Sequence, residues 1–297
     1  VVALCARLSR GGPLRAVGQA LVIAWATFPG LVRSAADVSR ARRLRGERGP
    51  ASLLVPVMER TVERAVALGA SMEVRGFGSP RDGGALERDI TAGTPAVELA
   101  RASITYGASA GSPGAFSASW ALRGDVALPR GLVLITGPTG AGKSTLLRTL
   151  SGLHQHADGG EVTGIVRVLG RDRSLPPYRT ADIVGVVPQH PRLGFVAETV
   201  AEEIGFASRV QGASDAVVEI RVREVATRLG VAHLLEANTA HLSAGESHLV
   251  AVAAAIAHGP RLLLVDEPLA DLDLASRNRV IQVLVELATG GITVVVA

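Results

Sequence analysis

A glycine-rich segment near the middle of the chain restricts the possible folds more than any other part of the sequence. It fits the pattern G-x-x-x-x-G-K-[S/T] and consists of Gly137, Pro138, Thr139, Gly140, Ala141, Gly142, Lys143, Ser144 and Thr145. The apolar run 132–135 before it predicts a short buried strand, and residues 144–150 predict the first turns of a helix. In this context the glycines let backbone N–H groups face phosphate oxygens at a helix N-terminus. The segment therefore predicts a phosphate-binding P-loop.

Two side chains at the end of the loop complete the predicted phosphate site. Lys143 would reach the β- and γ-phosphates of a nucleotide, and the hydroxyl of Ser144 would bind Mg²⁺. Lys143 is the only lysine of the chain, which suits a compact ammonium that must enter a phosphate cradle. For the loop alone, a glycine-rich turn without a ligand is the alternative interpretation.

The composition leaves room for two domains and excludes some classes of protein. A chain of 297 residues can bury a sizeable core in about two domains. Its 31 basic and 27 acidic residues give a net charge of +4, so we expect no nucleic-acid partner on charge alone. The single cysteine, Cys5, excludes a disulfide framework and fits a reducing compartment. The abrupt ends of the chain suggest a piece of a longer protein.

An uncharged run near the start of the chain is a candidate membrane helix. Residues 16–32 carry no charge over 17 positions, which is the lower limit for a membrane-spanning helix. The arginine-rich stretch 33–48 follows at once and predicts that this side faces the cytoplasm. A buried core helix with a solvated basic flank is the alternative interpretation.

Two helical segments come next, over residues 31–45 and 53–75. The second carries small and apolar residues at helical spacing, namely Val55, Met58, Val62, Ala65, Val66, Gly69 and Met72. Each segment closes on Arg-Gly, at Arg45 and at Arg75, where the glycine can end the helix and the arginine complements the helix dipole. From 79 to 95 the pattern dissolves into a Gly- and Pro-containing linker, before a predicted strand at 97–106 and an exposed hairpin or loop at 107–119.

Downstream of the P-loop, an apolar run ends in two carboxylates. Residues 261–268 read R-L-L-L-V-D-E-P and predict a buried parallel strand followed by Asp266 and Glu267. Asp266 would hold Mg²⁺ through water, and Glu267 would polarise the water that attacks the γ-phosphate. A plain strand followed by an acidic turn is the alternative.

Two further patterns leave alternatives open. Residues 242–246, L-S-A-G-E, precede an Ala- and Val-rich helix, so they form either an anion site or an ordinary helix cap. His154 and His156 could be a metal pair, but without a third ligand nearby a solvated loop is the better interpretation.

The order of these motifs, with V-P-Q at 187–189 between them, resembles that of the ATP-binding-cassette (ABC) ATPases. The resemblance runs from about residue 97 to the end of the chain. The family signature is usually L-S-G-G-Q, so Ala244 and Glu246 are departures, and Leu249 replaces a common basic residue. The resemblance implies an α/β P-loop ATPase, with a mostly parallel sheet flanked by helices and with antiparallel β and helical subdomains. It also implies ATP and Mg²⁺ as cofactors.

The resemblance further implies roles for individual residues. Gln189 would contact Mg²⁺ and take part in catalysis, Tyr106 would stack on adenine, and Asp271 and Asp273 would belong to the D-loop. The signature would act on the nucleotide of a second ABC ATPase domain, in a homodimer or a heterodimer, through Ser243, Ala244, Gly245 and Glu246. The switch histidine of the family should follow 291–297, where the chain stops, so we expect this piece to bind ATP but hydrolyse it poorly.

The N-terminal third resembles the C-terminal part of an energy-coupling-factor transmembrane component. That component ends its two coupling helices in Ala-Arg-Gly, which Leu44-Arg45-Gly46 and Val74-Arg75-Gly76 match except at the first position. Residues 191–206 also resemble the ATPases of that group. The resemblance implies a fusion of a coupling component (1–78), a linker (79–95) and an ABC ATPase domain (96–297).

Such a fusion implies an importer at the plasma membrane with its ATPase on the cytoplasmic side. It would take up a vitamin or a transition-metal ion captured by a separate substrate-binding membrane subunit, and Arg45 and Arg75 would couple ATPase closure to transport. The alternative is a soluble ABC ATPase that acts on nucleic acid or ribosomes, with residues 1–78 as a helical arm. A P-loop kinase or GTPase fits less well, because it would not need the motifs around Gln189 and Ser243.

Overall fold

The computed structural model describes residues 38–39, 51–78, 94–106 and 125–297. Its α-helices are α1 Ala51–Val74, α2 Lys143–Ser151, α3 Leu153–His156, α4 Val200–Val210, α5 Asp215–Arg228, α6 Ala244–Ile256 and α7 Leu274–Thr289. Its strands are β1 Val97–Tyr106, β2 Val126–Leu128, β3 Leu132–Leu134, β4 Gly160–Val168, β5 Arg171–Asp172, β6 Val184–Val187, β7 Leu262–Val265 and β8 Thr293–Val296. Short 3₁₀ turns occur at Pro177–Arg179, Pro191–Leu193, Ala232–Leu234 and Thr239–His241.

A four-stranded parallel sheet forms the centre of the fold, in the order β3-β8-β7-β6. Every side chain of β7 is buried, which explains its unbroken apolar run, because both faces of a parallel sheet are covered. On one face, Leu263 and Val265 pack against α5, α6 and α7, for instance against Val252 and Val283. The predicted parallel sheet flanked by helices is confirmed.

A second sheet covers the other face. It is antiparallel, in the order β2-β1-β4-β5, and it supplies Leu99 and Ile104 to a core shared with Leu150 of α2 and with Leu262 and Leu264 of β7. The central sheet thus lies between helices on one side and an antiparallel sheet with α2 on the other. The helices and the antiparallel sheet both present apolar side chains to the central sheet. This packing holds the P-loop end of the central sheet in place.

The strand before the P-loop differs from its prediction. Residues 132–135 were expected to form a buried strand, but β3 lies at the edge of the parallel sheet. Val133 packs into the core, whereas Leu132 and Leu134 are 49% and 67% exposed. Because strand side chains alternate between faces, an edge strand covered on one face leaves every second residue uncovered.

Helix α1 confirms the helix predicted over 53–75. It ends in a turn where Gly76 has φ +86° and the N–H of Phe77 donates to the carbonyl of Met72, which is how a left-handed glycine closes a helix. The second half of the helix packs Leu68 and Met72 against Phe206 of α4. The first half of its apolar face is exposed, at Val55, Met58, Val62 and Val66.

Several predicted segments lie outside the described residues. They are the run 16–32, most of the helix 31–45 with Arg45, most of the linker 79–95, and the loop 107–119; only Val38 and Ser39 of the helix 31–45 are described, and both are helical. Within the described ranges, every helix is too short or too polar to cross a membrane.

Candidate functional site

The P-loop connects β3 to the start of α2. Gly140 and Gly142 have φ of +82° and +86°. A Cβ on Gly140 would meet no other atom within 4 Å, so position 140 needs glycine for its left-handed backbone conformation and not for lack of space. The ammonium of Lys143 folds back over the loop and donates to the carbonyls of Gly137 at 3.0 Å and Pro138 at 3.2 Å. The loop thus holds its one cation at the helix N-terminus, where an anion is favoured.

A hydroxyl and a carboxylate meet beside this loop. Asp266 follows β7, and its N–H donates to the carbonyl of Val187 at the end of β6. Its carboxylate accepts a hydrogen bond of 2.9 Å from the hydroxyl of Ser144. Burial raises the pKa of Asp266 above its ordinary value, and the neighbouring Glu267 adds to the rise, whereas the Ser144 hydrogen bond opposes it. Arg148 and Lys143 also oppose the rise, but the cost of burial outweighs their charges.

Glu267 and Gln189 form a second pair one residue further on. The amide nitrogen of Gln189, which follows β6, donates to Glu267 at 2.8 Å. Glu267 has φ +43°, an uncommon value for a residue other than glycine, and its N–H donates to the carbonyl of Ala297 beyond β8. Because β6, β7 and β8 are parallel neighbours, their carboxyl ends bring both acidic residues and Gln189 to one edge of the sheet.

The residues present fit a nucleotide with Mg²⁺. The Ser144 hydroxyl, the Asp266 carboxylate and the amide oxygen of Gln189 are hard oxygen ligands, the kind that Mg²⁺ prefers. When bound, Mg²⁺ would neutralise charge on the phosphates, and it would add positive charge beside the half-buried Asp266, whose ionised form is disfavoured by desolvation. The side chain of Gln189 gives its nitrogen to Glu267, which leaves its oxygen as the atom for the metal.

The signature segment is held by a capping box at the start of α6. The hydroxyl oxygen of Ser243 accepts from the N–H of Glu246 at 3.2 Å, and the Glu246 carboxylate accepts from the N–H of Ser243 at 2.6 Å. These hydrogen bonds lower the pKa of Glu246. The departure from the family glutamine therefore has a local reason, because glutamate is well suited to the third helical position of a capping box.

Gly245 brings the signature next to the D-loop. A Cβ on Gly245 would lie 2.5 Å from the hydroxyl oxygen and 2.8 Å from the Cβ of Ser276 at the start of α7. Ser276 is fixed by Asp273, whose carboxylate accepts from both its N–H and its hydroxyl and so caps α7. Asp271 is exposed with φ +57°. The glycine is therefore required for packing between two segments that sequence analysis had treated separately.

The signature and the P-loop are not joined to each other. The described hydrogen bonds of Ser243 run to Glu246 and Ser247, and Ser243 is exposed. The exposed Ser243 hydroxyl is therefore suited to act in a nucleotide site that another domain completes. Tyr106 ends β1 opposite Gly160, and its predicted stacking on adenine stays a prediction. Leu249 packs against the helical core.

The two histidines are not in a solvated loop, so that interpretation was wrong. His154 is fully buried in α3, and its Nε2 lies 3.0 Å from the carbonyl of Thr105. A Cβ on Gly160 would overlap the His154 ring at 2.1 Å, so the missing side chain makes room for it. His156 is exposed and contacts the carbonyl of Ser174. The described residues hold no group of three or more metal-type ligands.

Sequence analysis missed Glu203, the partner of Arg75. The Arg75 guanidinium donates to Glu203 at 2.5 Å, so its main contact is not with the last carbonyls of its own helix. The other carboxylate oxygen of Glu203 accepts from the N–H groups of Val196 and Ala197, and its side chain is fully buried. A signal was present, because Glu203 lies on an otherwise apolar helix face formed by Val200, Ile204 and Ala207.

Comparison with known proteins agrees with this geometry. Residues 126–270 match the family described as ABC transporter. The solved structure of cbiO1 from Clostridium perfringens, described as part of the ABC transporter complex cbiONQ, shares the fold with a TM-score of 0.56. It is 24% identical and covers 69% of this chain and 78% of that chain.

Three sequence relatives are more similar. An ABC transporter ATP-binding protein of Streptomyces avermitilis is 40% identical over 58% of this chain and 31% of its own length. The cobalt import ATP-binding protein CbiO of Rhodobacter capsulatus is 37% identical over 57% of this chain and 60% of its own length. The Fe(3+) ions import ATP-binding protein FbpC of Streptomyces coelicolor is 42% identical over 52% of this chain and 43% of its own length. The chain thus spans between 31% and 60% of these relatives.

The buried carboxylate gives a pH-dependent prediction for the protein without nucleotide or metal. Because burial raises the pKa of Asp266, ionising it costs folding free energy, and wild type loses this stability as pH rises through the native pKa. Asp266→Asn should therefore raise the thermal midpoint by about 1–3 °C at pH 7, and the gain should vanish as pH falls through that pKa.

Thermal unfolding of wild type and Asp266→Asn from pH 3 to 8 measures the difference in thermal midpoint. Glu224→Gln, at an exposed site of α5, is the control, and a destabilised Asp266→Asn at pH 7 would contradict the prediction.

Proposed function

We propose that the chain is the ATP-binding and ATP-hydrolysing component of an importer of the energy-coupling-factor type. The observation that supports the ATP chemistry is the pairing of Ser144 with Asp266 and of Gln189 with Glu267 beside the P-loop. In this proposal Lys143 and the loop N–H groups bind the phosphates. Ser144, Asp266 and Gln189 hold Mg²⁺, and the Glu267 carboxylate orients the attacking water and accepts its proton.

A second ABC ATPase domain completes the site in this proposal. Ser243 is exposed, and its oxygen is engaged by Glu246 while its hydroxyl hydrogen is available to an acceptor. A γ-phosphate presented by a partner domain is such an acceptor, and the α6 N-terminus adds its positive dipole end. The partner is a second copy of the chain or a related ATPase domain.

Residues 1–78 are proposed to belong to the membrane coupling component, with the ATPase domain on the cytoplasmic side of the plasma membrane. Support comes from α1, whose end is tied to the ATPase domain by the Arg75–Glu203 ion pair and by packing of Met72 and Phe77 on Phe206. The coupling component would cooperate with a separate substrate-binding membrane subunit. The import proteins among the relatives are named for cobalt and Fe(3+), which favours a transition-metal ion over a vitamin as the first cargo to test.

Charge reversal at both coupling arginines tests the transport role. In proteoliposomes that contain the complete protein and its membrane partners, Arg45→Glu with Arg75→Glu should reduce ATP-dependent uptake of radioactive Co²⁺ to the level without ATP. ATP hydrolysis should keep at least about half of its rate, because Arg75 contacts Glu203 and the Phe206 ring and not the catalytic pairs. Uptake and hydrolysis are measured in the same sample.

The matched control reverses Arg223 and Arg228, two exposed arginines of α5, and should change neither rate. Unchanged Co²⁺ uptake in the Arg45 and Arg75 double variant would contradict the coupling role. If wild type takes up biotin and not Co²⁺, the importer stands and the cargo is a vitamin. If wild type transports neither probe and hydrolyses no ATP, the proposed function is wrong.

A further inference from the structure

Arg192 joins the turn after Gln189 to the start of the signature helix. It lies in the 3₁₀ turn Pro191–Leu193. Its Nε donates to the hydroxyl of Ser247 at 2.9 Å, and its Nη2 donates to the carbonyl of Leu242. These two acceptors lie on either side of Ser243 in the chain. The Arg192 side chain is therefore hydrogen-bonded to residues on both sides of Ser243 in the chain.

The contact with Ser247 continues to Ser243 itself. The Ser247 hydroxyl is buried, and while it accepts from Arg192 it donates to the carbonyl of Ser243 at 2.7 Å. The capping box with Glu246 engages the N–H and the hydroxyl oxygen of Ser243. The backbone groups of Ser243 are thus all bonded, and the same network fixes the position of its hydroxyl oxygen.

The same turn contacts α1 on its other side. A Cβ on Gly194 would lie 3.3 Å from the Cβ and 3.4 Å from the hydroxyl oxygen of Ser71, so α1 passes directly over the end of the turn. By contrast, a cavity of about 480 Å³ lies between α1 and the group formed by Ser144, Gln189 and Asp266. A displacement of α1 at Ser71 therefore meets the end of the turn of Arg192. The catalytic pairs lie across the cavity, and α1 reaches their side of the sheet through the packing of Ala70 and Val74 near Val186 of β6.

We propose that Arg192 is a positioning residue that transmits the position of α1 to Ser243, and so controls how Ser243 engages the nucleotide of the partner domain. The proposal rests on the proposed function, because it requires ATP bound between two ATPase domains. Arginine suits the role better than lysine, since its planar fork fixes two donors toward two acceptors at once. Its effect falls on the partner's nucleotide and not on the nucleotide in its own P-loop.

Substitution of Arg192 tests the proposal in the complete protein. Arg192→Ala should lower kcat for ATP hydrolysis about tenfold, with the Kd for ATP within about twofold of wild type, because the P-loop is untouched. Arg192→Lys keeps the charge but reaches one acceptor, and should give an intermediate kcat. Ser247→Ala removes the hydroxyl that links Arg192 to the carbonyl of Ser243. Its effect on kcat should therefore not add to that of Arg192→Ala. Arg228→Ala, at an exposed arginine, should leave kcat unchanged.

Mixed dimers distinguish an effect on the partner from local damage. Lys143→Ala chains lack a working P-loop but keep an intact signature. In a dimer with an Arg192→Ala chain, the intact P-loop faces the intact signature, so its activity should equal that of a wild-type chain paired with Lys143→Ala. A tenfold lower activity of the mixed dimer would overturn the proposal, because Arg192 would then act within its own domain. Wild-type kcat in Arg192→Ala homodimers would also overturn it. Absence of ATP hydrolysis in wild type would instead contradict the proposed function.

Discussion

Glu267→Gln should lower kcat for ATP hydrolysis by about 100- to 10,000-fold, the range contributed by a positioned general base. Glutamine keeps the size of the side chain, and its oxygen can still accept the hydrogen bond from Gln189. It cannot accept a proton from the attacking water at neutral pH. The Kd for ATP should stay within about twofold, because Lys143 and the P-loop backbone are unaffected. Single-turnover hydrolysis and equilibrium binding of a fluorescent ATP analogue measure the two quantities.

The control for this variant is Glu224→Gln, an exposed glutamate on α5, which should change neither quantity. The outcome that contradicts the role of Glu267 is a kcat within threefold of wild type. A large increase in the Kd for ATP would have a different meaning, since it would indicate that Glu267 supports the P-loop fold and not the chemical step.

The largest expected loss of stability follows from removing Arg75. Arg75→Ala should reduce the free energy of unfolding by about 3 kcal/mol, because it leaves the Glu203 charge buried without its cation. It also removes the contact of the guanidinium with the Phe206 ring, whose centroid lies 5.9 Å away. Urea unfolding, followed by circular dichroism, measures the loss.

A double-mutant cycle separates the ion pair from the packing. Glu203→Gln removes the charge and keeps an oxygen that can accept from Val196 or Ala197. Arg75→Ala combined with Glu203→Gln should therefore be more stable than Arg75→Ala alone, because no unpaired charge remains inside. If the double variant is less stable than Arg75→Ala by the full cost of Glu203→Gln, the two side chains act independently and the pair adds nothing.

The parts of the site that sequence predicted are those with a local physical signature. A P-loop needs its glycines and lysine at fixed spacing, and the capping box of Ser243 and Glu246 spans four residues. The buried strand before Asp266 needs an unbroken apolar run, because both of its faces are covered. In each of these cases the residues that form the feature are close together in the sequence, so the sequence pattern predicts their geometry.

Contacts between distant segments could not be predicted in the same way. Arg75 and Glu203 are 128 positions apart, and the sequence around Arg75 fits a helix cap equally well. Arg192 lies in an irregular turn with no periodicity to indicate its acceptors. The exposure of Leu134 depends on β3 being an edge strand, which is a property of strand order. His154 is buried because Gly160, at the start of β4, makes room for its ring.

The single lysine of this 297-residue sequence gives it an unusual chemical selectivity. Lysine amines are common targets of acetylation, methylation and electrophilic labels, and here all such lysine chemistry converges on Lys143, which lies across the mouth of the phosphate loop. A single acetylation would remove the ammonium that the phosphates need, whereas methylation would keep its charge and add bulk. An amine-reactive reporter on a lysine side chain therefore reads the state of the nucleotide site, and bound nucleotide competes with it directly.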